Sequence, residues 1–489
     1  MEKQKPIKKN VLMNFILALS NFVFPLITFS YVARVLMPDG LGSVAFVQSV
    51  LSYFSYAAVL GIPAYGLREC AKIRDDKEKL SHTVQELILI NLISAFISYL
   101  CFIGSLFLVP RFWQNRMLFF IMSSGIILKI LGVEWLYQAL EEYSYITIRS
   151  LIVKCISVVL TFILIRERDD YIWYGVLTIF GSSASNICNF LRVRKYISFK
   201  KVFGYDLHRH LKPMLSLFSA SIIVSIYANF DVVMIGIIKN DNEVGLYNAA
   251  LKIKNIVLIA STAVTDVLIS RVAYYYSHKE NERIKNLSVK TMKSAMLLSV
   301  PIAVYILLYA ENVLLFVCGK EYVEAVSTLR ILACCVFPLI TTYIFGQQLL
   351  IPMGLEKRYS QSVFVGLWIN LILNLLMIPS MGAFGAAIGT FVTECWNVYW
   401  MSGGVKEYRK NILKKTGFFR YFFALAFSAS MSLVIHYIMP NFNVFVQLVI
   451  TSLVFFGIYY LILLCSGESI LLETMLSLKS KLMKWAERK

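Results

Sequence analysis

The stretch Tyr227–Asn255, YANFDVVMIGIIKNDNEVGLYNAALKIKN, sets two apolar segments on either side of a short polar turn and carries Asp231, Lys252 and Lys254 inside them. With Lys239–Glu243 read as the turn, Asp231 and Lys252 lie about ten residues down its two arms, roughly 15 Å at the helical rise per residue, and are placed to face each other. An ionisable group within a membrane span costs on the order of 2.5–3.5 kcal/mol, so such groups pair, face a cavity or carry out the work of the protein.

The composition around this stretch makes the membrane reading general. Of 489 residues, 58% are hydrophobic and only 16% charged, and the mean hydropathy is +0.67. That leaves too little polar surface for a soluble globule of this size. A net charge of +19 would point to nucleic acid in a soluble chain. Here it is the Lys and Arg excess of inner loops, facing a phosphate-rich lipid surface, and no nucleic acid is expected. The nine cysteines and five histidines show neither a disulfide framework nor metal spacing, and no cofactor is called for. No Gly-x-x-x-x-Gly-Lys-Ser/Thr occurs, so ATP hydrolysis on a P-loop is excluded.

Apolar runs long enough to cross a hydrocarbon core of roughly 30 Å number about fourteen, from Val11–Ala33 and Leu41–Ile62 to Tyr421–Met439 and Val444–Cys465. The fold class is an all-α integral membrane protein. The termini and alternate loops hold most of the basic residues, which predicts cytoplasmic termini and short outer loops in a multi-pass cell (plasma or inner) membrane protein. The expected organisation is a six-helix lobe over residues 1–191, a basic linker over 192–212, a second six-helix lobe over 213–405, accessory helices over 406–467 and an amphipathic tail over 468–489. A parallel repeat of the lobes is suggested by VARVLMPDGLGSVAFVQS and MIGIIKNDNEVGLYNAALK, which place Gly42 and Gly245 equivalently before a new span.

These residues carry a resemblance. An intramembrane Asp231, an apolar run, a polar turn and Gly245-x-Tyr247-x-x-Ala250, together with Ala33-Arg34-x-Leu36 and Pro38, Asp39 and Gly42 at the end of the first span, resemble the polysaccharide repeat-unit flippases of the O-antigen and capsule type. That family is the oligosaccharide-exporting branch of a superfamily that also holds multidrug exporters and the lipid II flippase. Asp39 and Leu41 stand where the family usually has a Glu and an aromatic residue. The resemblance implies transport of undecaprenyl-pyrophosphate-linked oligosaccharide from the inner to the outer leaflet, by alternating access around a cationic cavity. The power source would be an ion gradient (H+ or Na+), the membrane potential or consumption at the far side, and a polysaccharide polymerase is a conceivable partner. No enzymatic activity is implied.

Read on their own, the intramembrane charges point the same way. Lys129, Lys154, Lys252, Lys254 and Arg330 stand against Glu134, Asp231, Asp266 and Glu394, with Arg34 nearer an outer opening. Cations exceed anions, which suits an anionic head group; the bland alternative is structural ion pairs between helices. Lys252 and Lys254 differ by two positions and occupy opposite helix faces. Asn91, Asn370 and Asn374 read as interhelical hydrogen-bonding groups rather than sugar contacts. The competing functions are a multidrug or lipid II exporter and, with outer loops too short to house a catalytic site, a membrane-embedded glycosyltransferase or polymerase.

Overall fold

A computed structural model describes residues 7–200, 204–439 and 442–473. The side chains of a few residues within these ranges, Asp266 among them, lie outside that description, as do the N-terminal lysines Lys3 and Lys5 and the tail beyond residue 473. Hydrocarbon offers the backbone no water to bond, so each crossing segment satisfies its own amides as helix. The described residues contain helices and no strand.

In the first 245 residues these are α1 (Ile7–Val59), α2 (Ile62–Lys72), α3 (Lys77–Leu108), α4 (Pro110–Gln114), α5 (Arg116–Leu131), α6 (Glu134–Ala139), α7 (Tyr143–Leu164), α8 (Tyr171–Ser183), α9 (Ser185–Val193) and α10 (His208–Ile238), with the start of α11 (Asp241–Ser277). Then come α12 (Asn281–Leu297), α13 (Ser299–Leu308), α14 (Ala310–Val317), α15 (Val326–Cys334), α16 (Val336–Tyr343), α17 (Glu356–Ser402), α18 (Lys406–Thr416), α19 (Phe418–Ile438) and α20 (Val444–Cys465). Among the described residues nine helical stretches are long and apolar enough to cross a membrane. Two of them, Leu12–Lys72 and Glu356–Ser402, run to 61 and 47 residues, far beyond the roughly 20 that one crossing needs. Nine is therefore a count of continuous stretches, not of crossings. Both long stretches bend at non-helical residues, Met37 (φ 56°, ψ −179°) in α1 and Gly382 (φ 55°, ψ −132°) in α17.

Contacts divide the chain into two units, 1–245 and 246–489. In the first, α1 is the central element and packs on α3, α5, α7 and α10. One end of this unit is filled by Tyr65, Leu87, Trp135, Tyr137 and Met214, and Gly66 admits the Trp135 ring, since a Cβ there would lie 2.7 Å from it. In the second, α15 packs on α13 and α17, and α19 lies along α20 over a core of Tyr305, Tyr309, Tyr421, Phe455 and Tyr459. The two halves of α17 fold back on one another through Ser362 Oγ donating to Asn397 Oδ1 (3.0 Å). A seven-residue π-helical segment, Ile344–Leu350, precedes it. Beyond α20, Glu468 is 1% exposed and accepts from Lys293 Nζ (3.1 Å), so the tail begins tucked into the unit.

The turn of the opening stretch is shorter than its reading. The turn is only Lys239–Asn240, and Asp241 and Glu243 belong to the first turn of α11. Asn240 Oδ1 caps it by accepting from the Glu243 N–H (3.0 Å), and the two acids face the positive helix end. Asp241 is further held by Arg111, Ser43 Oγ (2.8 Å) and Asn115 Nδ2 (3.2 Å). Gly42 and Gly245 meet here backbone to backbone: a Cβ on Gly42 would fall 1.7 Å from the Asp241 carbonyl oxygen, and one on Gly245 would fall 1.9 Å from that of Pro38.

Candidate substrate site in the first unit

The fourth apolar run of the sequence, Met117–Ala139, is a broken helix. α5 stops at Leu131, Val133 takes left-handed backbone angles (φ 31°, ψ 34°), and α6 starts at Glu134. A β-branched residue there is strained by about 1–3 kcal/mol, which the surroundings must hold in place. Asn189, fully buried on α9, does so by donating to the Gly132 carbonyl. Broken membrane helices with irregular backbone occur where they border a cavity. Here the break borders a cavity of about 370 Å³ lined by Tyr56, Asn91, Lys129, Glu134, Gln138 and Asn186, among others.

Lys129, in the last turn of α5, holds its ammonium 6.0 Å from the centre of the Tyr56 ring, a cation–π distance that leaves its N–H donors available to the cavity. Glu134 is 39% exposed and accepts two long bonds, from Arg149 Nη2 (3.3 Å) and Gln138 Nε2 (3.4 Å). Arg149 is 6% exposed on α7 and also donates to Asn189 Oδ1 and Ser150 Oγ (3.4 Å), while its Nε has no partner. Asn91, read from sequence as an interhelical group, instead lines the cavity with its buried Oδ1 unpartnered. Lys129, the amides and an aromatic rim together can hold an anionic, hydroxyl-bearing group, with Glu134 as the one anion among the described residues on the wall.

Of the charged residues singled out from sequence, this cavity gathers Lys129 and Glu134. Lys154, on α7, is half-buried and donates instead to Ser20 Oγ (2.7 Å) and Asn21 Oδ1 (2.5 Å) of α1. Arg34 is exposed on α1, and Asp231 is half-buried on α10. In the second unit Lys252 is half-buried and Lys254 buried on α11, Arg330 is exposed on α15, and Glu394 is buried in α17. Asp231, Lys252, Lys254, Glu394 and Arg34 each have interaction partners. Asp266 lies outside the described side chains. Sequence reasoning missed Arg149 and the Asn189 behind it. Part of the signal was present: Arg149 lies inside the run Ile146–Ile165, but only three residues from its start, where a cation costs less than at Lys129.

An all-helical, multi-pass chain with a charged cavity at a broken helix is a membrane transporter in architecture. The chain belongs to the family described as "Polysaccharide biosynthesis protein", whose model matches residues 7–273, and the MatE model matches residues 217–376. It is 22% identical to the "Putative O-antigen transporter" of Escherichia coli (strain K12) over 80% of this chain and 94% of the relative. It is 26% identical to the protein of the same name from Shigella dysenteriae, over 82% of this chain and 100% of the relative. A "Probable low-salt glycan biosynthesis flippase" of Haloferax volcanii matches 46% of this chain and 45% of its own length at 26% identity. In fold the chain is similar to "Lipid II flippase MurJ, inward closed conformation", with a TM-score of 0.71 and 14% identity over 92% of this chain and 98% of that one. An inward-facing multidrug resistance MATE family transporter aligns with a TM-score of 0.62 and 13% identity over 79% and 95%.

Proposed function

We propose that this chain is a flippase that carries polyprenyl-pyrophosphate-linked oligosaccharide repeat units from the cytoplasmic to the outer leaflet by alternating access, and that it is not an enzyme. The observation that carries the reading is the Lys129 cavity, in a chain whose relatives along most of its length are named as O-antigen transporters. A pyrophosphate bears about two charges, and its desolvation in bare hydrocarbon far exceeds what an apolar tail offsets, so fixed cations are required along its path. Lys129 supplies one, with Lys154, Lys252 or Lys254, Arg34 and Arg330 as further stations on the way. Asp231, Asp266 and Glu394 are the candidate charge partners or coupling groups for H+ or Na+. Similarity to lipid II and multidrug exporters is one of fold.

The lobes 1–191 and 213–405, the linker 192–212 and the accessory helices 406–467 remain the organisation we propose, in the inner membrane with both termini cytoplasmic and a polymerase as possible partner. In a cysteine-free background, single cysteines at the exposed Asn240 and Glu167 are expected to react with an impermeant thiol reagent from outside, and one at the exposed Arg283 is not. For transport, Lys129→Gln is expected to abolish export in a complementation assay while the protein still accumulates in the membrane, and Lys129→Arg to keep part of it. Normal export by the Gln variant would remove the cavity from the mechanism; loss of the protein itself would assign Lys129 a structural role.

A further inference from the structure

Arg149 carries five N–H donors in a planar fork suited to bidentate capture of a carboxylate or phosphate. The structure uses that fork poorly. Asn189 Oδ1 takes one bond, Glu134 Oε2 and Ser150 Oγ take long ones at 3.3 and 3.4 Å, and Nε takes none. A buried arginine that served only to staple helices would be paired bidentately at about 2.7–2.9 Å, because an unspent N–H in a dry interior costs the full desolvation penalty. Glu134, which accepts from this guanidinium, lines the cavity, is 39% exposed and accepts one other bond, a long one from Gln138 at 3.4 Å. Lys129 lines the same cavity.

We infer that Arg149 is a phosphate-binding residue held in reserve: Glu134 occupies it in the empty site and is displaced when the second of two linked phosphoryl groups reaches it while the first lies beside Lys129, so that the site selects pyrophosphate over monophosphate. The inference rests on the substrate reading above and adds to it the residue that distinguishes the head groups. The displaced Glu134 keeps Gln138 as a partner and can take up water, so the exchange strands no buried charge. Asn91 Oδ1, buried and unpaired on the cavity wall, is left to accept from a hydroxyl of the attached sugar.

The test is binding of farnesyl pyrophosphate and farnesyl monophosphate to the full chain in nanodiscs, by calorimetry, with melting temperatures taken alongside. Wild type should prefer the pyrophosphate. Glu134→Gln, which removes the competing charge but keeps an acceptor for Arg149, should bind the pyrophosphate about tenfold more tightly, the scale of one displaced charge-assisted bond. Arg149→Gln should bind both probes alike, and Arg149→Lys should restore part of the preference. A merely structural pair predicts the reverse for Glu134→Gln, with binding unchanged or weaker and a lower melting temperature, and that result would overturn the inference even if Arg149→Gln failed to fold. Wild type preferring the pyrophosphate while Glu134→Gln binds it no better sinks Arg149's role alone. Wild type that binds neither probe overturns the substrate reading as well.

Discussion

Among the glutamates of the first unit that meet arginines, the contrast between Glu86 and Glu134 separates scaffold from site. Glu86, at the cytoplasmic end of α3 in the proposed topology, is 0% exposed and saturated. Its carboxylate accepts from the Asp206 N–H (2.7 Å) and from Arg209, and lies 3.0 Å from His210 Nε2 and 3.3 Å from His82 Nδ1. Tyr65 Oη in turn lies 2.8 Å from His210 Nδ1. Glu134 has two long bonds and a face open to a cavity. A fully satisfied polar network in a dry interior fixes one geometry; a half-satisfied one has unspent donors that a ligand can claim. The first therefore pins the chain entering α10 to α2 and α3, and the second waits for substrate.

The comparison breaks if the two sites respond alike. Glu86→Ala leaves Arg209 and His210 without their anion and should cost about 3–5 kcal/mol, read as a large drop in melting temperature and poor accumulation in the membrane. Tyr65→Phe removes one hydrogen bond from the same network and should cost about 1 kcal/mol, with export preserved in whatever protein accumulates. Glu134→Gln should lower stability by less than about 1 kcal/mol, because the bond to Arg149 is long, Glu134 is 39% exposed and Gln keeps an acceptor for the guanidinium, yet alter export clearly. Arg168→Ala is the floor. Its pair with Asp39 is exposed on both sides, so the melting temperature should stay within the error of the measurement, a difference under about 1 kcal/mol. If Glu134→Gln destabilised as strongly as Glu86→Ala, both would have to be called scaffold.

Which of these features could be read from the chain follows from where the signal is stored. The all-helical membrane class was legible because hydrocarbon leaves the backbone no alternative, and Lys129 was legible because a charge in an apolar run has few explanations. The breaks were only partly so. The breaks at Leu298 and Cys335 precede Pro301 and Pro338, which cannot donate to the preceding turn, and Met37 directly precedes Pro38, whereas Val133 gives no local warning of positive φ. Nothing beside Glu86 in the chain marks it as buried, since its burial depends on Arg209 and His210 more than a hundred positions away. Arg149 carried only part of the signal of Lys129, because it sat three residues into its run, where a cation reads as a loop residue.

The anchoring of Glu468 by Lys293 divides the C-terminal segment into two parts for anyone modifying the gene. A reporter or affinity tag joined after Glu473 leaves that clasp and the Arg420 Nη1 bond to the Ser466 carbonyl (3.2 Å) in place. A stop codon at position 468 would instead strand an ammonium that is only 14% exposed, and shortened versions of the protein should be drawn with that boundary in view.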